Sequence, residues 1–259
     1  MHLSSTLLSK WGFSHGFSTR RGGVSKAPYD ASDFALLRDP EALRENLARL
    51  GRAIGFDPAR LYQVMQVHGA TVREADGEPS AVQALEGDAV VARRAGHAAG
   101  VRVADCVPIL VGDVETRVAV AVHAGWKGVV AGVIETGVRA LGAPGRRVAA
   151  IGPCIGPCCF EVGADVAASI AEAAGDPGVV VRRHEDAGRP KAMVDLRRAA
   201  RARLRAAGLA DVDVDDVGGC TRCDPGLYYS FRRDGDASGR LLAVVVAGVA
   251  GGFVDRGAG

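Results

Sequence analysis

Val101–Asp113 (VRVADCVPILVGD) and Arg117–Gly128 (RVAVAVHAGWKG) are the two stretches that decide the fold of this 259-residue chain. Each contains a run of small and β-branched residues, which predicts a strand buried within a sheet. A reactive side chain follows the run in each stretch, Cys106 in the first and His123 in the second. Because α/β proteins usually place their sites where strands end beside a cleft, the two stretches predict both the sheet and the site.

Helical patterns alternate with further strand patterns on both sides of these stretches. Asp39 and Pro40 favour a helix start, since an aspartate cap precedes a proline in the first turn, and Gly55 ends the helix. An apolar stripe at helical spacing lies between them, made of Leu43, Leu47, Leu50 and Ile54. The remaining patterns predict strands at Leu61–Val67, Ala89–Ala92, Arg147–Ile151, Val179–Arg182, Val212–Val217 and Leu241–Val249, helices at Gly128–Leu141, Ala164–Ala174 and Val194–Leu209, and a connecting loop over residues 73–87.

This order of elements predicts an α/β fold. Strands follow one another directly around residues 89–122, which favours a mixed β-sheet flanked by helices over a purely parallel one. The chain contains no internal repeat or low-complexity linker that would mark a domain boundary. We therefore expect residues 1–259 to form a single compact domain.

Composition and charge exclude several function classes. Lys and Arg total 32 and Asp and Glu total 30, so bulk electrostatics indicate neither nucleic-acid nor membrane binding. The N-terminus resembles no signal peptide, and no apolar run reaches membrane-spanning length. Six cysteines in such a chain predict reduced thiols and a cytoplasmic location.

His68, Cys106 and His123 are candidate metal ligands because two imidazoles and a thiolate suit zinc. The long intervals between them mean that the fold must assemble such a site, which would keep a fourth position for water or substrate. Alternation in RVAVAVH places His123 on one face with Ala119 and Ala121, whose small side chains leave space beside the imidazole. Each of the three also fits a structural reading, as a capped or packed core residue.

The other cysteines and the first arginines leave two further questions open. Five cysteines could supply a thiolate zinc centre: Cys154, Cys158, Cys159, Cys220 and Cys223. Neither of the two segments that contain them has the paired cysteine spacing of a zinc ribbon, so we interpret these residues as reduced thiols in packed loops. Arg20 and Arg21 lie in a Gly-rich loop that fits either an anion site or a solvated turn.

Six motifs, taken together and in order, resemble those of the polyphenol-oxidase-like laccase-domain family (YfiH-like). They are FSTRRGGVSKAPYD, QVHG, VADCVPIL, AVHAGWKG, AIGPCIGPCCFEVG and the run from CTRC to SFRRDGDASGR. The resemblance covers almost the whole chain. It implies a purine nucleoside phosphorylase with adenosine deaminase activity, and zinc held by the matching residues His68, Cys106 and His123.

The resemblance also suggests roles for individual residues. Arg20 matches the arginine of the family's FSTR motif, and Lys127 stands where the family usually has arginine. We assign these two to phosphate, and Asp105 and Glu161 to substrate contact or proton transfer, although each carboxylate equally fits a role as a helix cap or as a support for the metal ligands. The stretch beginning at Ala31 (ASDFALLRDPEAL) lacks the asparagine-containing pattern that the family usually has there.

Three other functions compete with this interpretation. Cys106 with His123 as base would suit a metal-free cysteine hydrolase. A copper-dependent polyphenol oxidase would need more imidazoles than six histidines can supply, or Met65 as an axial ligand of a single copper. The third is a non-catalytic metal-binding protein. The expected partners are purine nucleosides and phosphate, without nucleic acid or membrane, and the expected state is a monomer or homodimer.

Overall fold

The computed structural model describes residues 1–142 and 145–248. Its strands are β1 (His2–Leu3), β2 (His15–Ser18), β3 (Leu61–Tyr62), β4 (Val72–Glu74), β5 (Ala89–Ala92), β6 (Ala98–Val103), β7 (Val107–Asp113), β8 (Ala119–Ala124), β9 (Arg147–Ile151), β10 (Glu161–Gly163), β11 (Val180–Asp186), β12 (Arg189–Val194), β13 (Val214–Asp216) and β14 (Leu241–Val246). Its α-helices are α1 (Thr6–Lys10), α2 (Pro40–Ile54), α3 (Pro79–Gln83), α4 (Trp126–Ala131), α5 (Val133–Ala140), α6 (Ala164–Ala174), α7 (Leu196–Ala206) and α8 (Phe231–Asp234).

The strands form mixed sheets. A six-stranded sheet has the order β13-β9-β7-β8-β5-β4, and a five-stranded sheet has the order β1-β2-β14-β6-β3. In the larger sheet β7 pairs antiparallel with β8 and β9, whereas β4 pairs parallel with β5. A smaller sheet, β10-β12-β11, lies beside helix α6. The predicted α/β class with mixed sheet and flanking helices is confirmed.

The central strands β5, β7 and β8 of the six-stranded sheet are buried on both faces. Ile109 of β7 packs into a core shared with helices α5, α6 and α7, while its neighbour Leu110 packs into a second core shared with β6 and β14. In β8 the valines face the helices, and the small Ala119 and Ala121 face the five-stranded sheet. Because both faces are covered, β7 and β8 have nearly continuous apolar sequences.

Several predicted elements have the bounds that the sequence indicated. Helix α2 begins after Asp39, whose side chain accepts a hydrogen bond from the Ala42 N–H at 3.0 Å, and it ends at Gly55 with φ 91°. Helix α6 and strands β5 and β9 also match the predicted ranges. Capping residues and strong periodicity therefore fixed these boundaries.

We predicted a single strand in the stretch Val101–Asp113, with Cys106 directly after it. The structure instead divides this stretch between two strands that belong to different sheets. Strand β6 ends at Val103, and β7 begins at Val107 in the six-stranded sheet. Asp105 has φ 89°, so the backbone turns sharply between them. Cys106 therefore precedes β7, and His123 lies inside β8 rather than after it.

Other predicted bounds were also wrong. Residues 73–87 contain the end of β4 and helix α3, and the predicted helix Gly128–Leu141 is split into α4 and α5 because Gly132 has φ 82°. Only the first two residues of Leu61–Val67 form a strand. Val194 ends β12 before α7, and the strand near Val212–Val217 covers only β13. Strand β14 ends at Val246, and Val249 lies outside the described residues.

None of the described helices has the length and hydropathy needed to cross a membrane.

Candidate metal centre

His68 lies on a short loop that the carboxylate of Asp88 holds in place. The N–H groups of His68 and Gly69 donate to Asp88 Oδ1 and Oδ2 at 2.9 and 2.6 Å, and the Val67 N–H donates to Oδ2 at 3.3 Å. His68 has φ 61°, a left-handed conformation that is costly for a residue with a Cβ. The successive N–H bonds to one buried carboxylate stabilise this turn and present the His68 side chain outward.

The same carboxylate orients His123. His123 Nδ1 lies 2.8 Å from Asp88 Oδ1, and the His123 N–H donates to the Asp88 carbonyl at 2.7 Å. Asp88 has no exposed surface, and His123 is only 3% exposed. Because Nδ1 faces Asp88, Nε2 is the ring nitrogen free to act as a ligand, as in carboxylate–histidine–metal arrangements.

Cys106 is positioned through the corner between β6 and β7. The Asp105 carbonyl accepts a hydrogen bond from the Ile155 N–H at 2.9 Å. The Asp105 carboxylate accepts bonds from the Thr221 hydroxyl at 2.6 Å, the Ser230 hydroxyl at 3.0 Å and the Arg232 N–H at 2.6 Å. These bonds hold the backbone on which Cys106 is mounted.

The fold brings His68, Cys106 and His123 together. Their ligand atoms all lie within 4.8 Å of one another, and Cys106 Sγ lies 3.8 Å from His68 Nε2. Zinc–sulfur and zinc–nitrogen bonds of ordinary length, at a tetrahedral angle, would separate these atoms by roughly 3.6 Å. The three side chains therefore fit a zinc ion and leave one position for another ligand.

Gly125 leaves room for this arrangement. A Cβ at position 125 would lie 2.7 Å from His68 Cδ2 and 3.0 Å from Cys106 Sγ, distances that real Cβ atoms avoid. The glycine of the HAGW motif therefore lets two candidate ligands approach the backbone closely without displacing His68.

Electrostatics couple Cys106 and His123. Burial raises the pKa of the Cys106 thiol, but the charge of His123 and hydrogen bonds from both imidazoles outweigh it and lower the pKa to about 6. Burial lowers the pKa of His123, but the Cys106 thiolate and the Asp88 carboxylate raise it to about 9. At neutral pH the metal-free pair is thus a thiolate and an imidazolium, and a metal cation would replace the imidazolium proton.

Asp105, which we predicted to be catalytic, is a positioning residue in this structure. Asp105 is a buried residue with 8% of its surface exposed, and its carboxylate already accepts three hydrogen bonds. Two of these come from the start of helix α8, where Ser230 is the N-cap residue. A carboxylate occupied in this way is a cap, and the geometry does not favour a role in proton transfer.

Arg20, Lys127 and Glu161 lie outside the group of three. The Arg20 guanidinium donates to the carbonyls of residues 28, 30 and 225 and lies 4.8 Å from the Tyr229 ring centroid. Lys127 is exposed on α4. Glu161 Oε2 lies 2.8 Å from His184 Nε2, which favours an ion-pair role. Their predicted substrate contacts stay predictions.

Sequence reasoning missed Asp88, Arg102 and Arg240. Asp88 had a weak signal, an acidic residue directly before a buried apolar strand. Burial and then the charge of Arg240 lower the pKa of Arg102 to about 10. Burial and the neighbouring charge of Arg38 lower the pKa of Arg240, while Cys106 and Asp105 act on it in the opposite direction. The Arg102 guanidinium donates to Gln63 Oε1 and the Val64 carbonyl, and the Arg240 guanidinium donates to the carbonyls of Ser238 and Gly239.

Residues 14–248 match the model of a family described as multi-copper polyphenol oxidoreductase laccase. The chain belongs to this family. A purine nucleoside phosphorylase of Pseudomonas aeruginosa is 40% identical over 232 residues, covering 88% of this chain and 90% of that protein.

Family members with other names match as well. Adenosine deaminase RL5, from an unknown prokaryotic organism, is 36% identical over 240 residues, covering 87% of this chain and 91% of that protein. The crystal structure of YlmD from Geobacillus stearothermophilus superposes with a TM-score of 0.80 at 30% identity and covers 92% of each chain. The resemblance predicted from the motifs is therefore confirmed, and the fold is shared with a solved family member.

Proposed function

We propose that this family member is a zinc-dependent purine nucleoside phosphorylase with adenosine deaminase activity. The observation that carries the proposal is the convergence of His68, Cys106 and His123 on one point, with both histidines oriented by Asp88. Relatives named for the two activities support the substrate class.

His68, Cys106 and His123 would hold the zinc ion. When bound, zinc supplies a Lewis acid that polarises a substrate oxygen or a water. Asp88 fixes the His123 tautomer, since it accepts from Nδ1 and leaves Nε2 for the ligand position. Asp88 also fixes the His68 loop, so this one carboxylate determines the relative position of two ligands.

Phosphorolysis requires an anion to be held beside the sugar. A phosphate oxygen forms a bond to ribose C1′ as the bond from C1′ to the purine nitrogen breaks, and the purine leaves with that electron pair and gains a proton. Positive charge develops on the sugar as this bond breaks, and the phosphate anion stabilises that charge if it already lies beside C1′. Cationic side chains must therefore hold the phosphate in place before the bond breaks. We retain the assignment of this task to Arg20 and Lys127.

Deamination would use the same purine nucleosides. Water adds at C6 of adenosine and ammonia leaves, which gives inosine. The Asp105 carboxylate is occupied by three donors, so we assign it the task of holding the Cys106 corner in both reactions.

A metal-free cysteine hydrolase is the second candidate. Asp88 contacts His123, and His123 in turn contacts Cys106, as the members of a catalytic triad do. Such a triad has no use for a second imidazole. His68 nevertheless approaches Cys106 Sγ to 3.8 Å and is held there in a left-handed backbone conformation. A metal site explains this placement, so we favour the zinc-dependent function.

The test is an assay of metal-quantified protein with inosine and adenosine, with and without phosphate, in which free base and deaminated nucleoside are resolved. We expect base release that depends on both phosphate and zinc. Activity that persists after complete zinc removal and is abolished by a thiol alkylating agent would support the hydrolase instead. Stoichiometric zinc without turnover of either nucleoside would indicate a non-catalytic metal-binding protein, and phenol oxidation by copper-loaded protein would indicate the oxidase.

A further inference from the structure

A second group of cysteines lies at the surface, outside the group that we assign to catalysis. Cys158 and Cys159 lie on the loop between β9 and β10, and Cys220 and Cys223 lie on the segment between β13 and α8. We refer to these four residues as the four-cysteine cluster. Their Sγ atoms all lie within 4.8 Å of one another. Residues more than 60 positions apart along the chain therefore present four sulfurs to a single point.

The sulfur positions match a tetrahedral thiolate site. Cys223 Sγ lies 3.5 Å from Cys158 Sγ and 3.4 Å from Cys159 Sγ. Four zinc–sulfur bonds of ordinary length would place the sulfurs about 3.8 Å apart, so small adjustments bring all four to one ion. Gly156 lies close against the cluster, since a Cβ there would make tight contacts of 3.1 Å with Cys220 Cβ and 3.3 Å with Cys158 Sγ.

Hydrogen-bond donors surround the sulfurs as they do around bound thiolates. The Gly156 N–H donates to Cys220 Sγ at 3.2 Å, and the Cys223 N–H also reaches this sulfur. Arg222 Nη1 lies 3.6 Å from Cys159 Sγ. A zinc ion with four thiolates carries two negative charges, and these donors, one of them cationic, compensate part of that charge.

We propose that the four-cysteine cluster binds a structural zinc ion. Binding converts four thiols to thiolates, releases their protons and fills the tetrahedral coordination shell, so that no position is left for a substrate. The sequence interpretation of these residues as unliganded thiols in packed loops is thereby replaced for four of the five. Cys154 is not part of the group whose sulfurs lie within 4.8 Å of one another, and Arg197 Nη2 lies 3.7 Å from its sulfur.

The ion would fasten together the two segments that hold the catalytic corner. Ile155 precedes Cys158 and donates to the Asp105 carbonyl, and Thr221 lies between Cys220 and Cys223 and donates to the Asp105 carboxylate. Arg233 further ties the second segment together by donating to the carbonyls of Thr221 and Tyr228. Zinc in the four-cysteine cluster therefore stabilises the backbone that positions Cys106.

Zinc content of variants tests the proposal. The double variant Cys158→Ser/Cys223→Ser removes two exposed ligands, so we expect it to fold, as checked by circular dichroism. Under reducing conditions it should hold one zinc equivalent fewer than the unmodified chain. Cys154→Ala is the matched control for loss of a cysteine, and its zinc content should be unchanged. His123→Ala should lose the other equivalent, so a failure of the proposed catalytic site can be distinguished from a failure of this one.

Cobalt substitution of the unmodified protein and of the variants supplies a second readout. Co²⁺ in a four-thiolate site gives intense sulfur-to-metal charge-transfer bands, and these should be retained in His123→Ala. The double variant should keep only the much weaker band of the single Cys106 thiolate. Equal zinc content in the double variant and the unmodified chain would overturn the proposal. The absence of these bands in His123→Ala would also overturn the proposal. The same holds if freshly reduced protein binds iron but not zinc at the four-cysteine cluster. A disulfide between two of the four that forms even with zinc present would also contradict it.

Discussion

The molecule contains two groups of candidate metal-ligating side chains that differ in construction. His68, Cys106 and His123 form a mixed nitrogen and sulfur set with three members, whereas the four-cysteine cluster offers four sulfurs. A buried carboxylate, Asp88, orients the first group, and main-chain N–H groups surround the second. Catalytic zinc needs an open position and structural zinc does not, so ligand number indicates chemistry at the first group and stabilisation at the second.

Removing Cys106 should have the largest effect of any change at either group. Cys106→Ala deletes the thiolate ligand, and loss of Lewis-acid stabilisation worth about 4 kcal/mol corresponds to roughly a 10³-fold lower kcat/KM for phosphate-dependent base release. Cys154→Ala, in which a buried cysteine outside both groups is removed, should retain activity within a few-fold. If the two variants had equal activity, the functional contrast between the groups would be broken.

Asp88→Asn should weaken the first group without affecting the second. An amide can no longer accept from His123 Nδ1 and from the N–H groups of the His68 loop together, so zinc affinity at the first group should fall by about 10–100-fold. Asp113→Asn is the matched control, because Asp113 is equally buried but contacts Thr116. Competition with a chromophoric chelator measures both affinities, and an unchanged affinity in Asp88→Asn would contradict the orienting role.

The pH dependence of alkylation should separate the cysteines in metal-free protein. The pKa of Cys106 is lowered to about 6, so its thiolate fraction, and hence its rate with iodoacetamide, should fall about tenfold from pH 7 to pH 5. Burial raises the pKa of Cys154 to about 11, so this thiol should stay unreactive over the same range. Peptide mass spectrometry identifies each modified residue. Zinc should protect Cys106, and a Cys106 rate that falls roughly a hundredfold between pH 7 and pH 5, as it does for a thiol of ordinary pKa, would show that its pKa is not lowered in this way.

Gly125→Ala should have a smaller effect that is confined to the first group. The added methyl group would lie 2.7 Å from the ring of His68, which is exposed and can move aside, so we expect several-fold weaker zinc binding with the fold retained. Gly219→Ala is the control, since a Cβ there meets nothing within 4 Å. Zinc titration followed by calorimetry compares the two, and equal affinities would show that the space at Gly125 is not required.

Local signals explain which parts of the fold could be predicted. Helix α2 has a capping aspartate, an apolar stripe and a terminal glycine, and its bounds were correct. The split between α4 and α5 was missed because Gly132 lies within an uninterrupted apolar periodicity, where sequence alone does not reveal a positive φ. The division of Val101–Asp113 between two sheets was missed for a similar reason, since the turn at Asp105 depends on bonds from distant residues.

The candidate site was predictable where residue type alone indicates chemistry. Histidine and cysteine are recognisable ligands, and the family motifs selected three residues that the structure brings together. Asp88 was missed because a carboxylate becomes an orienting group only through contacts that the fold creates. The interaction of Arg102 with Arg240 was missed because it depends on the pairing of Arg102 in β6 with Leu242 in β14, two residues after Arg240. Supporting residues of this kind require tertiary structure.

Anomalous diffraction at the zinc edge, from crystals of zinc-loaded protein, tests the central claim most directly. We predict a peak within bonding distance of His68 Nε2, Cys106 Sγ and His123 Nε2, with a non-protein ligand in the remaining position. A map without a peak among these three atoms, from protein that is active and fully loaded, would contradict the account.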